Sequence, residues 1–124
     1  MIRKLEKETF FHQFSDENQK FLLAQGTEIT LKKGSSLYLE GDFPKHIYYV
    51  TSGKIRLSKT TVDGRILFFQ LMQSDEFVGE LSLFNNLKRT SNADVIKDTI
   101  LIRFDRTVLE TICLQNSVVA LACL

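Results

Sequence analysis

From Thr27 to about Asp105 the chain returns again and again to one pattern: a short run of alternating apolar and polar residues, then a glycine. Ile29 and Leu31 open it. Leu37/Leu39, Ile47/Tyr49, Ile55/Leu57 and Ile100/Ile102/Phe104 repeat it. Successive side chains of a strand point to opposite faces, so a period of two marks strands with one face buried and one wet. Gly34, Gly41, Gly53 and Gly64 punctuate the runs about every ten residues, the rhythm of an antiparallel sandwich or barrel-like roll. Asp63-Gly64 lies between two strand-like runs and predicts a tight hairpin. Ile66-Leu67-Phe68-Phe69 is apolar at consecutive positions, which predicts a strand buried on both faces. Phe68, Phe69 and Phe104 are accordingly expected in strand interiors.

Helical patterns flank this region. Ser15 is a good N-cap, Asp16 and Glu17 follow where a helix dipole favours anions, and Phe21, Leu22 and Leu23 supply an apolar face. Gly26 falls where a left-handed C-cap is expected. Phe10, Phe11 and Phe14 are expected to dock the N-terminal helices on the strands. After Asp105 a helical face returns through Val108, Leu109, Ile112 and Cys113. Asn116-Ser117 then offers a break before the apolar segment Val118–Leu124. Such a segment needs a cover: the strands, a second subunit, or the continuation of a longer helix. The expected division is N-terminal helices over 1–26, a roll over 27–105 and C-terminal helices over 106–124.

With 124 residues, 44% of them apolar, the chain suits one domain with a real core rather than a disordered tail. Lys and Arg number 16 against 15 Asp and Glu, so the net charge of +1 argues against a chain that mainly grips nucleic acid or an acidic membrane. Two cysteines, Cys113 and Cys123, make neither a disulfide framework nor an ordinary iron–sulfur site, and read as small core residues. The charged start has no signal-peptide core and no apolar run is long enough to span a bilayer, so a cytoplasmic protein without membrane contact is expected.

The segment Gly79-Glu80-Leu81-Ser82-Leu83-Phe84-Asn85-Asn86-Leu87-Lys88-Arg89-Thr90-Ser91 interrupts the strand rhythm. Leu81, Leu83 and Phe84 can anchor a short helical turn, whose start points free N–H groups at an anion. Arg89 supplies a planar, permanently charged fork matched to two phosphate oxygens. Thr90 and Ser91 add donors beside it, and Glu80 offers an acceptor for a sugar hydroxyl. Together they read as a pocket for a sugar phosphate.

Gly-Glu-Leu-Ser-Leu-Phe, followed nine residues after the glutamate by Arg-Thr, resembles the phosphate-binding cassette of cyclic-nucleotide-binding domains. The glycine spacing, the central hairpin and the order of helix, roll and helix agree along nearly the whole chain. It most resembles the effector domain of the catabolite activator and fumarate–nitrate regulator superfamily of bacterial transcriptional regulators.

The resemblance implies an antiparallel double-stranded β-helix, a jelly-roll-like β-roll, flanked by helices. It implies a cyclic nucleotide, cAMP or cGMP, as effector and no other cofactor. Glu80 would take the ribose 2′-hydroxyl and Arg89 the cyclic phosphate. Gly79, Leu81, Ser82, Thr90 and Ser91 complete the cassette, with Ser82 and Thr90 donating to the phosphate, and Leu57 and Phe69 on facing strands would wall the base. It also implies a homodimer through the C-terminal helix. DNA would be read only by a winged helix-turn-helix domain that this chain lacks, so that the chain amounts to about half of such a regulator. One departure stands out. Where the family often has a glycine in the turn before the cassette, this chain has Ser74-Asp75-Glu76-Phe77-Val78.

The alternative is a module that binds no nucleotide, in which Glu80 and Arg89 merely pair and the domain serves dimerisation or another interaction. A cupin-like metal site would need about three histidines and a carboxylate. His12 and His46 are the only histidines and lie far apart, His12 read as a helix residue and His46 as a strand-edge residue. No nucleophile elbow or catalytic triad is visible, so no enzyme is expected.

Overall fold

The computed structural model of the protein describes residues 16–79 and 88–115. The expectations placed on Phe10, Phe11, His12, Phe14, Ser15 and the segment from Asn116 to Leu124 lie outside those residues. Helix α1 (Asp16–Gln25) carries Asp16 and Glu17 in its first turn. Of Phe21, Leu22 and Leu23 only Leu22 is fully buried, while Phe21 is 50% exposed. Gly26 ends the helix, its N–H donating to the Leu23 carbonyl at 3.3 Å. It is not in the expected left-handed conformation. The reason for a glycine there is space, because a Cβ on Gly26 would collide with the Ile102 and Phe104 side chains.

The strands are β1 (Thr27–Leu31), β2 (Ser36–Tyr38), β3 (His46–Thr60), β4 (Ile66–Met72), β5 (Phe77–Val78) and β6 (Asn92–Asp105). All pairings are antiparallel, with the order β1-β6-β3-β4, β2 added to β6 and β5 to β3. The expected mainly antiparallel β architecture is thus what forms. The long strands β3 and β6 are its axis.

Gly53 departs from the expectation of a turn. It stands inside β3 at φ 112, where the register against β6 shifts, and Thr99 packs so close that a Cβ would strike its backbone. The two alternating runs at Ile47 and Ile55 are therefore halves of one bulged strand. The hairpin at Asp63-Gly64 forms as predicted. Gly64 is at φ 84 and the Thr61 N–H donates to the Arg65 carbonyl at 2.7 Å.

The core gathers Tyr48, Val50, Ile55, Leu57, Met72, Val78, Ala93 and Leu101, with Ile29, Leu31, Leu37 and Tyr38 packed against it. Phe104 and Phe77 are fully buried as well. The expectation of a doubly buried strand at Ile66-Leu67-Phe68-Phe69 fails, because all four side chains are more than half exposed. The cause is topological: β4 is the edge strand of the main order, paired only with β3. Phe68 is covered on one side by Arg56, whose guanidinium carbon sits 4.1 Å from the ring centroid.

After β6, α2 (Arg106–Gln115), which includes Cys113, starts directly from the last residue of that strand, at the same end of the sheet as α1. The Arg106 N–H donates to the Lys45 carbonyl at 3.1 Å, beside the first residue of β3. Among the described residues no helix is long and apolar enough to cross a membrane.

Candidate functional site

Arg89 enters β6 from the cassette, and its backbone is fixed before its side chain. The Gly41 N–H donates to the Arg89 carbonyl and the Arg89 N–H to the Asp42 carbonyl, both at 2.8 Å. Gly41 makes this possible by adopting φ 91. Asp42 braces the same turn by accepting from the Leu39 N–H at 2.9 Å.

The guanidinium then runs inward rather than into solvent, and Arg89 is only 5% exposed. Nη1 donates to the Gly79 carbonyl at 3.1 Å and Nη2 donates to the His46 carbonyl. Its face lies over the Tyr38 ring, with Cζ 4.2 Å from the centroid. Nε is buried without a hydrogen-bond partner. Among the described residues no ion pair involves Arg89. Gly79, at φ 89, leaves the room this needs, since a Cβ there would collide with the guanidinium.

A buried charge costs several kcal/mol in lost hydration unless its surroundings offset it. Hydrogen bonds to a charged group recover about 1.5–3 kcal/mol each. A desolvated cation–π contact recovers about 2 kcal/mol. Burial pulls the Arg89 pKa below its ordinary value, opposed by Tyr38, Tyr48 and Asp42. The result is a held, forked cation that two neutral carbonyls and an aromatic face stabilise, the electrostatic complement of an anion.

The other expected site residues divide into three groups. Glu80, Leu81 and Ser82 lie outside the described residues, and so does any Glu80–Arg89 pair. Gly79 and Arg89 are brought together, while beside them Ser91 is buried and Thr90 exposed. Leu57 is buried on β3 and Phe69 is 53% exposed on β4, opposite the register shift between Leu57 and Ser58. The two do share a strand pair, but Phe69 is not packed into a closed wall.

Three features were not anticipated. Tyr38 and the His46 carbonyl hold Arg89, and alternation marked the strand at Tyr38 without saying what its ring would meet. The third is Asp75, in the turn before the cassette where the family often has a glycine. It adopts φ 67 and accepts a hydrogen bond from the Tyr49 hydroxyl at 2.6 Å. Aspartate is among the few residues that visit the left-handed region at modest cost, so the turn survives the departure. Burial, the Asp75 hydrogen bond and its charge push the Tyr49 phenol pKa upward. Among the described residues no group of three or more His, Cys, Asp or Glu is placed to hold a metal.

Residues 28–116 match the family described as the Cyclic nucleotide-binding domain. The chain belongs to the cyclic nucleotide-binding domain family. Its relatives include the cyclic AMP receptor protein of Thermus thermophilus, 29% identical over 77% of this chain and 44% of that protein. The N-terminal domain of a transcriptional regulator from Streptomyces coelicolor A3(2) superposes with a TM-score of 0.81 at 32% identity, covering 96% of this chain and 83% of that one. A lysophospholipase of Neurospora crassa also matches, 28% identical over 71% of this chain but only 6% of its own length. The cyclic nucleotide-binding domain described here is therefore of the kind carried by regulators related to the cyclic AMP receptor protein, and the same kind of domain also occurs within an enzyme. The chain spans less than half the length of the cyclic AMP receptor protein it matches.

Proposed function

We propose that the domain binds a 3′,5′-cyclic nucleotide as the effector-sensing part of a transcriptional regulator, and that it binds rather than catalyses. The observation that carries this reading is Arg89: a buried guanidinium with an unpartnered Nε and no ion pair among the described residues. An anionic phosphodiester supplies the charge that such a site lacks. Glu80 is proposed to accept from the ribose 2′-hydroxyl. Gly79, Leu81, Ser82, Thr90 and Ser91 form the cassette around the phosphate, and Leu57 with Phe69 flanks the base. The relative named as a cyclic AMP receptor protein favours cAMP among such ligands. In this reading two copies pair through the C-terminal helix, and DNA is contacted by a further domain.

Titration calorimetry with cAMP and cGMP tests the proposal. The chain is expected to take up one of them with a measurable heat that Arg89→Ala abolishes or weakens at least tenfold, the order of loss when a charge-assisted pair is removed. Equal heats from both proteins, or none from either, would sink it.

A second reading, an interaction module indifferent to nucleotide, is favoured by one observation. Ile66, Leu67, Phe68, Phe69 and Leu71 are all exposed along one edge strand. In that reading the chain associates with a second copy whether or not a cyclic nucleotide is present.

A further inference from the structure

Arg89 has donors on its edge and charge on its face, and different groups meet the two. Gly79 and His46 carbonyls take the edge. The face is taken by Tyr38, which is itself backed: its ring stacks on that of Tyr48 at 6.4 Å and 24°, and Tyr48 meets the His46 ring at 6.3 Å. The stack thus leads from the guanidinium face to the very residue whose carbonyl holds the guanidinium edge. Tyr38 also stands beside the cassette in the sheet, since β2 pairs Tyr38 with Ala93 after an irregular step in register from Ser36.

A guanidinium binds an oxyanion only in its own plane, through its N–H edge. A ring that fixes that plane therefore decides where an anion can approach, and it keeps water off the face in the meantime. Of the five N–H donors of the guanidinium, one on Nη1 and one on Nη2 are taken by the Gly79 and His46 carbonyls, and Nε is buried with no partner among the described residues.

We infer that Tyr38 is a positioning residue for the anion site, its ring fixing the plane of the Arg89 guanidinium so that the donor edge alone is offered to the ligand. The ligand's identity rests on the cyclic-nucleotide reading above; the positioning does not. The role assigned here rests on the ring face, which acts through its quadrupole, a property phenylalanine shares.

The test compares Tyr38→Phe with Tyr38→Leu, and Tyr38→Met should the leucine variant fail to fold, using two measurements. The first is the ¹H–¹⁵N signal of the Arg89 Nε–H without nucleotide, assigned by its loss in Arg89→Lys. A ring-current displacement is expected in the parent chain, kept in Tyr38→Phe and lost in the aliphatic variant. An Arg89 signal unmoved by the aliphatic substitution overturns the inference. The second is cAMP and cGMP affinity. Tyr38→Phe is expected within about twofold of the parent and the aliphatic variant roughly tenfold weaker, the scale of a desolvated cation–π contact. Tyr38→Phe is expected to melt with the parent, whereas the aliphatic variant, which loses the contact that offsets the burial of Arg89, is expected to melt several degrees lower. Equal affinity in the aliphatic variant, or an equal loss in both variants, overturns it. Should the parent bind neither nucleotide, the cyclic-nucleotide reading fails and the Nε–H signal still decides the role of Tyr38.

Discussion

His46 shows how one residue can serve the site through its backbone and the stability curve through its side chain. Its carbonyl accepts from Arg89, while its imidazole Nε2 stands 3.4 Å from an Asp105 carboxylate oxygen. Burial lowers the imidazole pKa, Arg103 lowers it further, Asp105 opposes, and Arg89 and Lys45 add to the lowering. The folded state therefore prefers the neutral ring and binds fewer protons than the unfolded chain. A depressed pKa contributes stability that is present above the unfolded value, about 6.5, and is lost as the pH falls through the folded value. His46→Gln removes this dependence. Its thermal midpoint is expected to fall less than the parent's below about pH 6.5 and to run parallel above pH 7, checked by melting curves across that range. A variant whose midpoint follows the parent's at every pH would show that another group controls the acid limb. Arg89 could be proposed from sequence as an anion-binding residue because its spacing to Gly79 and Glu80 is local. Its burial and its partners at Tyr38 and His46 were not, since those lie tens of residues away in the chain.

Among the elements, β3 carries the clearest physical contrast. Gly53 and Gly64 both have positive φ, 112 and 84, Gly53 inside β3 and Gly64 in the turn between β3 and β4. Their surroundings differ. A Cβ at Gly53 meets the Thr99 backbone and side chain, whereas nothing lies within 4 Å of one at Gly64. Gly64→Ala then costs about 1 kcal/mol, the backbone strain of alanine in the left-handed region. Gly53→Ala adds a steric clash at a bulge that joins the two longest strands, and is expected to cost at least about 3 kcal/mol. Urea midpoints measure both, and equal losses would remove the role given to Thr99. The strand pattern was readable wherever one face is buried, and it was misread at Ile66–Phe69. Consecutive apolar residues are compatible with a central strand or with an edge awaiting a partner, and only the pairing order separates the two.

At the level of the whole molecule, the edge formed by β4 carries the longest exposed apolar run among the described residues. Five large apolar side chains between Ile66 and Leu71 are exposed at 38–59%. Contiguous surface of this kind on a single domain commonly marks a contact with another chain. Should it join two copies, Ile66→Thr with Phe68→Thr is expected to weaken self-association at least tenfold while preserving strand propensity. Sedimentation velocity over a concentration series checks this, and identical behaviour of parent and variant would remove the interaction-module reading.

By itself the sequence determined what depends on neighbours along the chain. A period of two produced strands, Asp63-Gly64 produced a hairpin, the acidic start of α1 suited a helix, and the cassette motif identified the family. What only the tertiary structure decided depends on residues far apart in sequence. It decided that Gly26 and Gly53 are required for space where a turn was expected, that β4 lies at an edge, and that Arg89 is buried between Gly79, His46 and Tyr38. The physical reason is that propensity and alternation act over a few residues, whereas burial and the pairing of a charge are set by whichever strands the fold brings side by side.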